Sequence, residues 1–118
     1  MAKNVLIVDD SLYMRTLIKQ TLEAAGFTVV GQAANGEEAI ELAVELEPDI
    51  VTLDNVLPDM IGTDILKIYI DQGLAAKVIM ISGVGQDEVV AEGLSMGAKA
   101  YLVKPFTPEQ LIEAINKL

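Results

Sequence analysis

Five polar residues stand directly after short apolar runs. Asp9 and Asp10 follow Val5–Val8, Asp54 follows Ile50–Leu53, Ser82 follows Val78–Ile81 and Lys104 follows Ala100–Val103. Carboxylates avoid apolar surroundings unless they are paired, hydrogen-bonded or bound to a metal. If the runs bearing the acids are neighbours, three carboxylates converge on one pocket and repel, and such a cluster calls for a cation. The chain has no cysteine and no histidine, so only oxygen ligands are available. Mg2+ fits such a set: it takes one or two carboxylates directly and keeps several waters.

In that setting each residue has a physical job. Asp54 is a carboxylate nucleophile able to take a phosphoryl group as an acyl phosphate. Asp9 and Asp10, with Asp54, hold the Mg2+ that neutralises incoming phosphate oxygens. Lys104 supplies a point charge to a phosphoryl oxygen, and to Asp54 when no phosphate is present. Ser82 donates its hydroxyl to another phosphoryl oxygen. This is phosphoryl transfer by positioning and charge stabilisation. Taken singly, each residue also has a plain reading as a turn aspartate, a turn serine or a solvated lysine before a helix. Their conjunction at four run ends carries the argument.

The elements that must position them are legible as well. Five runs, Val5–Val8, Phe27–Val30, Ile50–Leu53, Val78–Ile81 and Ala100–Val103, are mostly near-continuous in hydrophobicity, as strands buried on both faces of a parallel sheet are. Between them lie helical patterns. The first is capped by Ser11 and closed by Gly26. The second starts at Asn35 with Glu38 three residues on, close to a capping box. The third runs from Thr63 to about Ile70, and the fourth from about Gln86 to Ser95, interrupted by Gly93 at about 1 kcal/mol against alanine. The fifth opens Thr107-Pro108, a cap with proline at the first helical position. Five strand–helix units imply an open α/β sheet, doubly wound by right-handed crossovers, with ligands outside the carboxyl ends of the strands.

Composition narrows the function. At 118 residues the chain suits a single domain over residues 1–118. A formal net charge of −10 argues against nonspecific binding to nucleic acid, which needs lysine and arginine against phosphate. No apolar run reaches the roughly 18–20 residues that span a bilayer. The N-terminal MAKNVLIVDD is too weakly apolar for a signal peptide, so a cytoplasmic location is expected.

VLIVDDS, IVTLDNVLPDMIG, VIMISG and GAKAYLVKPFTPEQL, in this order and spacing, resemble the blocks of response-regulator receiver domains, and the resemblance covers the whole chain. It is strongest for stand-alone chemotaxis receivers of the CheY type. The resemblance implies a flavodoxin-like (βα)5 fold with strand order 2-1-3-4-5. It implies Asp54 as phosphoacceptor from a sensor histidine kinase, Asp10 as direct Mg2+ ligand with Asp9 acting largely through water, and the Val56 backbone carbonyl as third protein ligand. Ser82 matches the hydroxyl that moves toward the phosphoryl group, and Lys104 the family's lysine, with a cis Lys104–Pro105 bond. Tyr101 matches the switch aromatic whose ring turns inward as Ser82 moves, remodelling the face formed by the fourth helix, fifth strand and fifth helix. The implied protein is a phosphoacceptor switch and not an enzyme, beyond slow self-catalysed transfer and hydrolysis. Its implied partners are a CheA-like kinase, a flagellar motor switch protein or other protein target, and a phosphatase. The fifth helix ends at Leu118 with no effector domain in the chain, so output is expected through protein–protein contact.

Three departures stand out: Asn55-Val56 after the phosphoacceptor, Val84 two after Ser82, and Ile61 before Gly62. Val56 and Val84 offer an attacking water no polar guide, so unaided dephosphorylation is expected to be slow. Two other readings compete. A phosphohydrolase of the haloacid dehalogenase type needs an acid two residues after its nucleophile, where this chain has Val56. A stand-alone phosphorelay receiver or a phosphate-independent binding module would share the fold. The intact set Asp9, Asp10, Asp54, Ser82 and Lys104 opposes phosphate independence.

Overall fold

Strand and helix alternate five times along the chain: β1 (Asn4–Val8), α1 (Leu12–Ala24), β2 (Thr28–Ala33), α2 (Gly36–Leu46), β3 (Ile50–Asp54), α3 (Gly62–Asp71), β4 (Lys77–Ser82), α4 (Asp87–Met96), β5 (Ala100–Val103) and α5 (Pro108–Asn116). The structure is a computed structural model that describes residues 3–83 and 87–118. All strands pair in parallel, in the order β2-β1-β3-β4-β5, which is the flavodoxin-like order. The central strands β1, β3 and β4 are buried over almost their whole length because helices cover both of their faces. The edge strands β2 and β5 are only partly covered, and their residues alternate or stay half-buried.

The helix starts follow their caps. Ser11 Oγ accepts from the Met14 N–H at 3.2 Å, and Asn35 Oδ1 from the Glu38 N–H at 2.8 Å. Glu38 returns its carboxylate to the Ala34 N–H at 2.9 Å, one residue before the cap, so the box is offset. Thr107 and Gln110 form the full capping box. Gly26, at φ +93°, takes the left-handed position after α1 that a side chain would resist.

Two element boundaries differ from the sequence expectation. β2 begins at Thr28, one residue after Phe27, and runs to Ala33, because Gly31 and Gln32 pair with Leu6 and Ile7 of β1. A glycine and a glutamine are tolerated there because β2 is an edge. The expected start of the fourth helix, Gln86, lies outside the described residues, and α4 continues to Met96. Gly93 is buried in α4, and a Cβ there would run into Met80 Sδ of β4. Its absence lets the helix approach the sheet, which offsets the propensity lost.

The sheet separates two apolar cores. One joins Val5, Ile7, Ile50, Ile79, Ile81 and Leu102 to Ile18 and Leu22 of α1 and to Leu111 and Ile115 of α5. The other joins Leu6, Val8, Val51, Leu53, Val78 and Met80 to Ala39 and Ala43 of α2 and to Ile65, Leu66 and Tyr69 of α3. Each buried Leu, Ile or Val contributes roughly 1.5–3 kcal/mol relative to exposure. Strand side chains alternate between faces, so the odd residues of β1 and the even residues of β3 and β5 belong to the α1/α5 side. Asp9, Asp54 and Lys104 continue that side past the last apolar residue of each strand. Ser82 follows Val78 and Met80 and so falls on the α2/α3/α4 side, as does Tyr101.

Candidate functional site

Asp9 is completely buried, and each of its polar groups is engaged. Its N–H donates to Ala33 O at 3.0 Å, extending the β1–β2 ladder by one residue. Its Oδ1 accepts from the Ser11 N–H at 2.9 Å, its Oδ2 from Lys104 Nζ at 2.9 Å, and its carbonyl from Arg15 Nη1 at 2.6 Å. Lys104 reaches Asp9 from β5, 95 residues away in sequence, and its Nζ also lies 3.3 Å from Asp54 Oδ2. The Lys104–Pro105 bond that turns the chain away from this lysine is cis.

Asp54 is 7% exposed at the end of β3. Burial pushes its carboxyl above the usual aspartate value and the Asp9 charge adds to that; Lys104 and the Val56 N–H only partly oppose them. The Lys104 ammonium shows the complementary balance. Burial alone would lower it, but its hydrogen bond to Asp9 and the charges of Asp54 and Asp9 hold it above the ordinary lysine value. Asp10, one residue from the buried Asp9, is exposed. Oxygens of Asp9, Asp10 and Asp54 all lie within 4.8 Å of one another, as the sequence argument required.

The loop after β3 is built to present its backbone to this pocket. Asn55 extends the β3–β4 ladder through its N–H to Ile81 O at 2.9 Å. The Gly62 N–H then donates to Asn55 O at 2.7 Å, and the Leu57 N–H to Met60 O at 3.1 Å, which makes Val56 and Ile61 a narrow antiparallel pair. In such a pair the peptide groups of the facing residues point away from each other. The Val56 N–H accordingly turns to Asp54 Oδ1, at a long 3.5 Å. Gly62 permits the closure, since a Cβ would come within 2.9 Å of Asn55 Cα. Asp59 ties the loop to α2, its two oxygens accepting from the Gly36 and Glu37 N–H groups at 2.7 and 3.1 Å. Those bonds, the Gly36 one first, hold its carboxyl below the usual range.

The donor set fits a hard divalent cation. Three carboxylates against the Lys104 ammonium leave two negative charges in the cluster. Both oxygens of Asp9 already accept hydrogen bonds, whereas Asp10 is exposed and Asp54 Oδ1 has only a long contact, so these two are the carboxylates better placed to bind directly. Ser82 Oγ is buried and has no hydrogen-bond partner, a donor held in reserve at the end of β4. Asn55 Oδ1 and Thr52 Oγ1 are likewise buried without partners.

Other expectations concern the rim. Val56 is 54% and Ile61 49% exposed, so the site mouth is apolar. Val84 lies outside the described residues. Tyr101 is 47% exposed on β5, beside a groove lined by Leu94, Lys99, Gln110 and Lys117. Sequence reasoning missed Arg15 and Asp59. Arg15 lies one helical turn after its cap, and Asp59 directly after a turn proline; both patterns are common in solvated residues.

The chain belongs to the response regulator receiver domain family, whose description matches residues 5–116. Among individual proteins it is similar to the chemotaxis protein CheY of Thermotoga maritima, 46% identical over 118 residues, covering 100% of this chain and 98% of that one. The chemotaxis protein CheY of Bacillus subtilis is 44% identical over 117 residues, covering 99% and 98%. In three dimensions it superimposes on a CheX–CheY–BeF3–Mg complex from Borrelia burgdorferi with a TM-score of 0.91 at 36% identity, over 96% of this chain and 86% of that one. A CheY-like receiver from Methanospirillum hungatei gives a TM-score of 0.90 at 32% identity, over 99% and 93%. Among the described residues no helix is long and apolar enough to cross a membrane.

Proposed function

We propose that this receiver is switched by phosphorylation of Asp54, with Mg2+ held by Asp10, Asp54 and the Val56 carbonyl. The observation that carries the reading is the shared ammonium: Lys104 sits between a fully engaged Asp9 and a partly accessible Asp54. Of the buried acids in the cluster, Asp54 alone has an oxygen that no strong hydrogen bond claims. When bound, Mg2+ supplies positive charge to phosphoryl oxygens and offsets the repulsion between carboxylates.

An Asp54 oxygen attacks the phosphorus of a phosphohistidine or a small phosphodonor. The P–N or P–O bond to the leaving group breaks, and the leaving group departs with its electron pair and takes a proton from solvent. Lys104 exchanges its contact with Asp54 for one with a phosphoryl oxygen while keeping Asp9. Ser82 turns its unpartnered hydroxyl toward another phosphoryl oxygen. Tyr101, on the same side of the sheet as Ser82, then turns inward, and the α4–β5–α5 face changes. Phosphorylation shifts this equilibrium only as far as it prefers one conformer. The protein is thus a phosphoacceptor switch that catalyses only its own transfer and slow hydrolysis.

The names of the Thermotoga and Bacillus relatives support a chemotaxis role, with a CheA-like histidine kinase as input and the flagellar motor switch as output. The Borrelia complex supports a CheX-like protein as a further partner. A cytoplasmic setting agrees with these partners.

The test is incubation with Mg2+ and a small phosphodonor followed by intact mass measurement. Wild type is expected to gain one phosphoryl group and Asp54→Ala none. No gain on wild type would instead favour a phosphate-independent binding module.

A further inference from the structure

We infer that Arg15 is a positioning residue that sets the Mg2+ ligand Asp10 in place, an inference that rests on the Mg2+ site proposed above. Arg15 lies one turn into α1, half-buried, and its Nη1 donates to the Asp9 carbonyl at 2.6 Å. This is a charge-assisted bond and among the shortest in the structure. The peptide joining Asp9 to Asp10 is planar, so holding the Asp9 carbonyl fixes the plane that carries the Asp10 N–H and Cα. The Asp9 side chain cannot swing to compensate, because Ser11 and Lys104 hold both of its oxygens. Asp10 is itself exposed. Its carboxylate therefore emerges from a peptide whose orientation Arg15 determines.

Charge and geometry make opposite claims here, which makes the inference decidable. Arg15 places a positive guanidinium next to a cation site, so by Coulomb repulsion alone its removal should tighten Mg2+ binding. As a positioning residue its removal should weaken binding, because Asp10 loses its fixed origin. Outer groups that orient metal ligands are typically worth 10- to 100-fold in metal affinity.

The experiment is titration of the metal-free protein with MgCl2 alone, followed by backbone amide shifts around Asp9, Asp10 and Asp54, with no phosphodonor present. Arg15→Met and Arg15→Gln are each expected to bind about tenfold more weakly than wild type, and either variant suffices if the other does not fold. Arg15→Lys, which keeps charge and one donor, is expected to recover part of the loss. At saturating Mg2+ the phosphorylation rate of Arg15→Met should return toward wild type, separating a lost ligand position from a damaged nucleophile. Affinity equal to or tighter than wild type in Arg15→Met and Arg15→Gln would overturn the inference and leave the Mg2+ site standing. Absence of Mg2+-dependent shifts in wild type would overturn both.

Discussion

Lys104 Nζ stands closer to Asp9 Oδ2, at 2.9 Å, than to Asp54 Oδ2, at 3.3 Å. The tighter partner is the acid with no oxygen to spare, so the lysine is anchored by one carboxylate and shared with the other. Replacing it by methionine leaves a buried Asp9 charge unpaired. Loss of one member of a buried pair typically costs 3–5 kcal/mol, and the partial exposure of Lys104 places the expected loss near 3 kcal/mol. Urea unfolding at neutral pH, with and without Mg2+, measures it, and added Mg2+ should return part of the loss. Because the folded lysine is raised, its contribution is complete below the ordinary lysine range and fades as pH climbs above about 10. Lys104→Ala should also still accept phosphate yet bind its partner no more tightly for it; a wild-type gain in affinity would count against the coupling role.

Burial first, and then the Asp9 charge, make the ionised form of Asp54 unfavourable in the folded protein. Its folded carboxyl lies above the ordinary value, so stability falls as pH rises from the ordinary value towards the folded one, and the penalty is complete above it. Asp54→Asn should therefore raise the melting temperature at pH 7 by roughly 4 °C, the shift about 1 kcal/mol gives in a small domain. The gain should shrink below about pH 4, where the unfolded aspartate is also protonated, and shrink again in Mg2+. Calorimetry over pH and Mg2+ concentration decides; a gain independent of both would mean the side chain acts through packing.

Asp59 reports on the opposite sign. Its carboxyl is depressed chiefly by the Gly36 N–H, so its contribution is present above the ordinary aspartate value and is lost as pH falls through the lower, folded one. Asp59→Asn should melt below wild type at neutral pH, with the two curves meeting in acid below about pH 4. A gap that persists unchanged into acid would show that charge on this side chain is immaterial.

Val56 is expected to bear on the lifetime of the proposed phosphoryl group. Its side chain is exposed at the mouth and gives an attacking water nothing to bond. Val56→Asn, and Val84→Glu at the second position read from sequence, should each speed decay of the phosphorylated form in the presence of Mg2+. Decay that is unchanged or slower in both variants would remove the explanation.

The sequence made the strand ends, and hence the identities of Asp9, Asp10, Asp54, Ser82 and Lys104, readable because buried parallel strands announce themselves as apolar runs. The spatial claim that the three carboxylates meet needed only that β1 neighbour β3, which the observed order provides; Lys104 and Ser82 come near because β4 and β5 follow β3. Arg15 was not readable, because its partner is a backbone carbonyl, and a carbonyl leaves no mark in a side-chain pattern. Asp59 escaped for the same reason, as its partners are the N–H groups of Gly36 and Glu37. β2 runs past its expected end because an edge strand needs only backbone pairing, so Gly31 and Gln32 pair with Leu6 and Ile7 after a shift in register at Val30.

The partition of the sheet has one more consequence. By the alternation of strand side chains, Asp9, Asp54 and Lys104 fall on its α1/α5 side with Ile7, Ile50 and Leu102, whereas Ser82 and Tyr101 fall on the other. Under the proposed function, a chemical event at Asp54 and its readout at Tyr101 would thus be insulated from each other by a wall of close-packed strands. News of the event has to pass over the rim of that wall, where Ser82 ends β4. On the switch proposed above, the sheet would keep the reaction and the message apart, with the Ser82 hydroxyl at its lip as the relay.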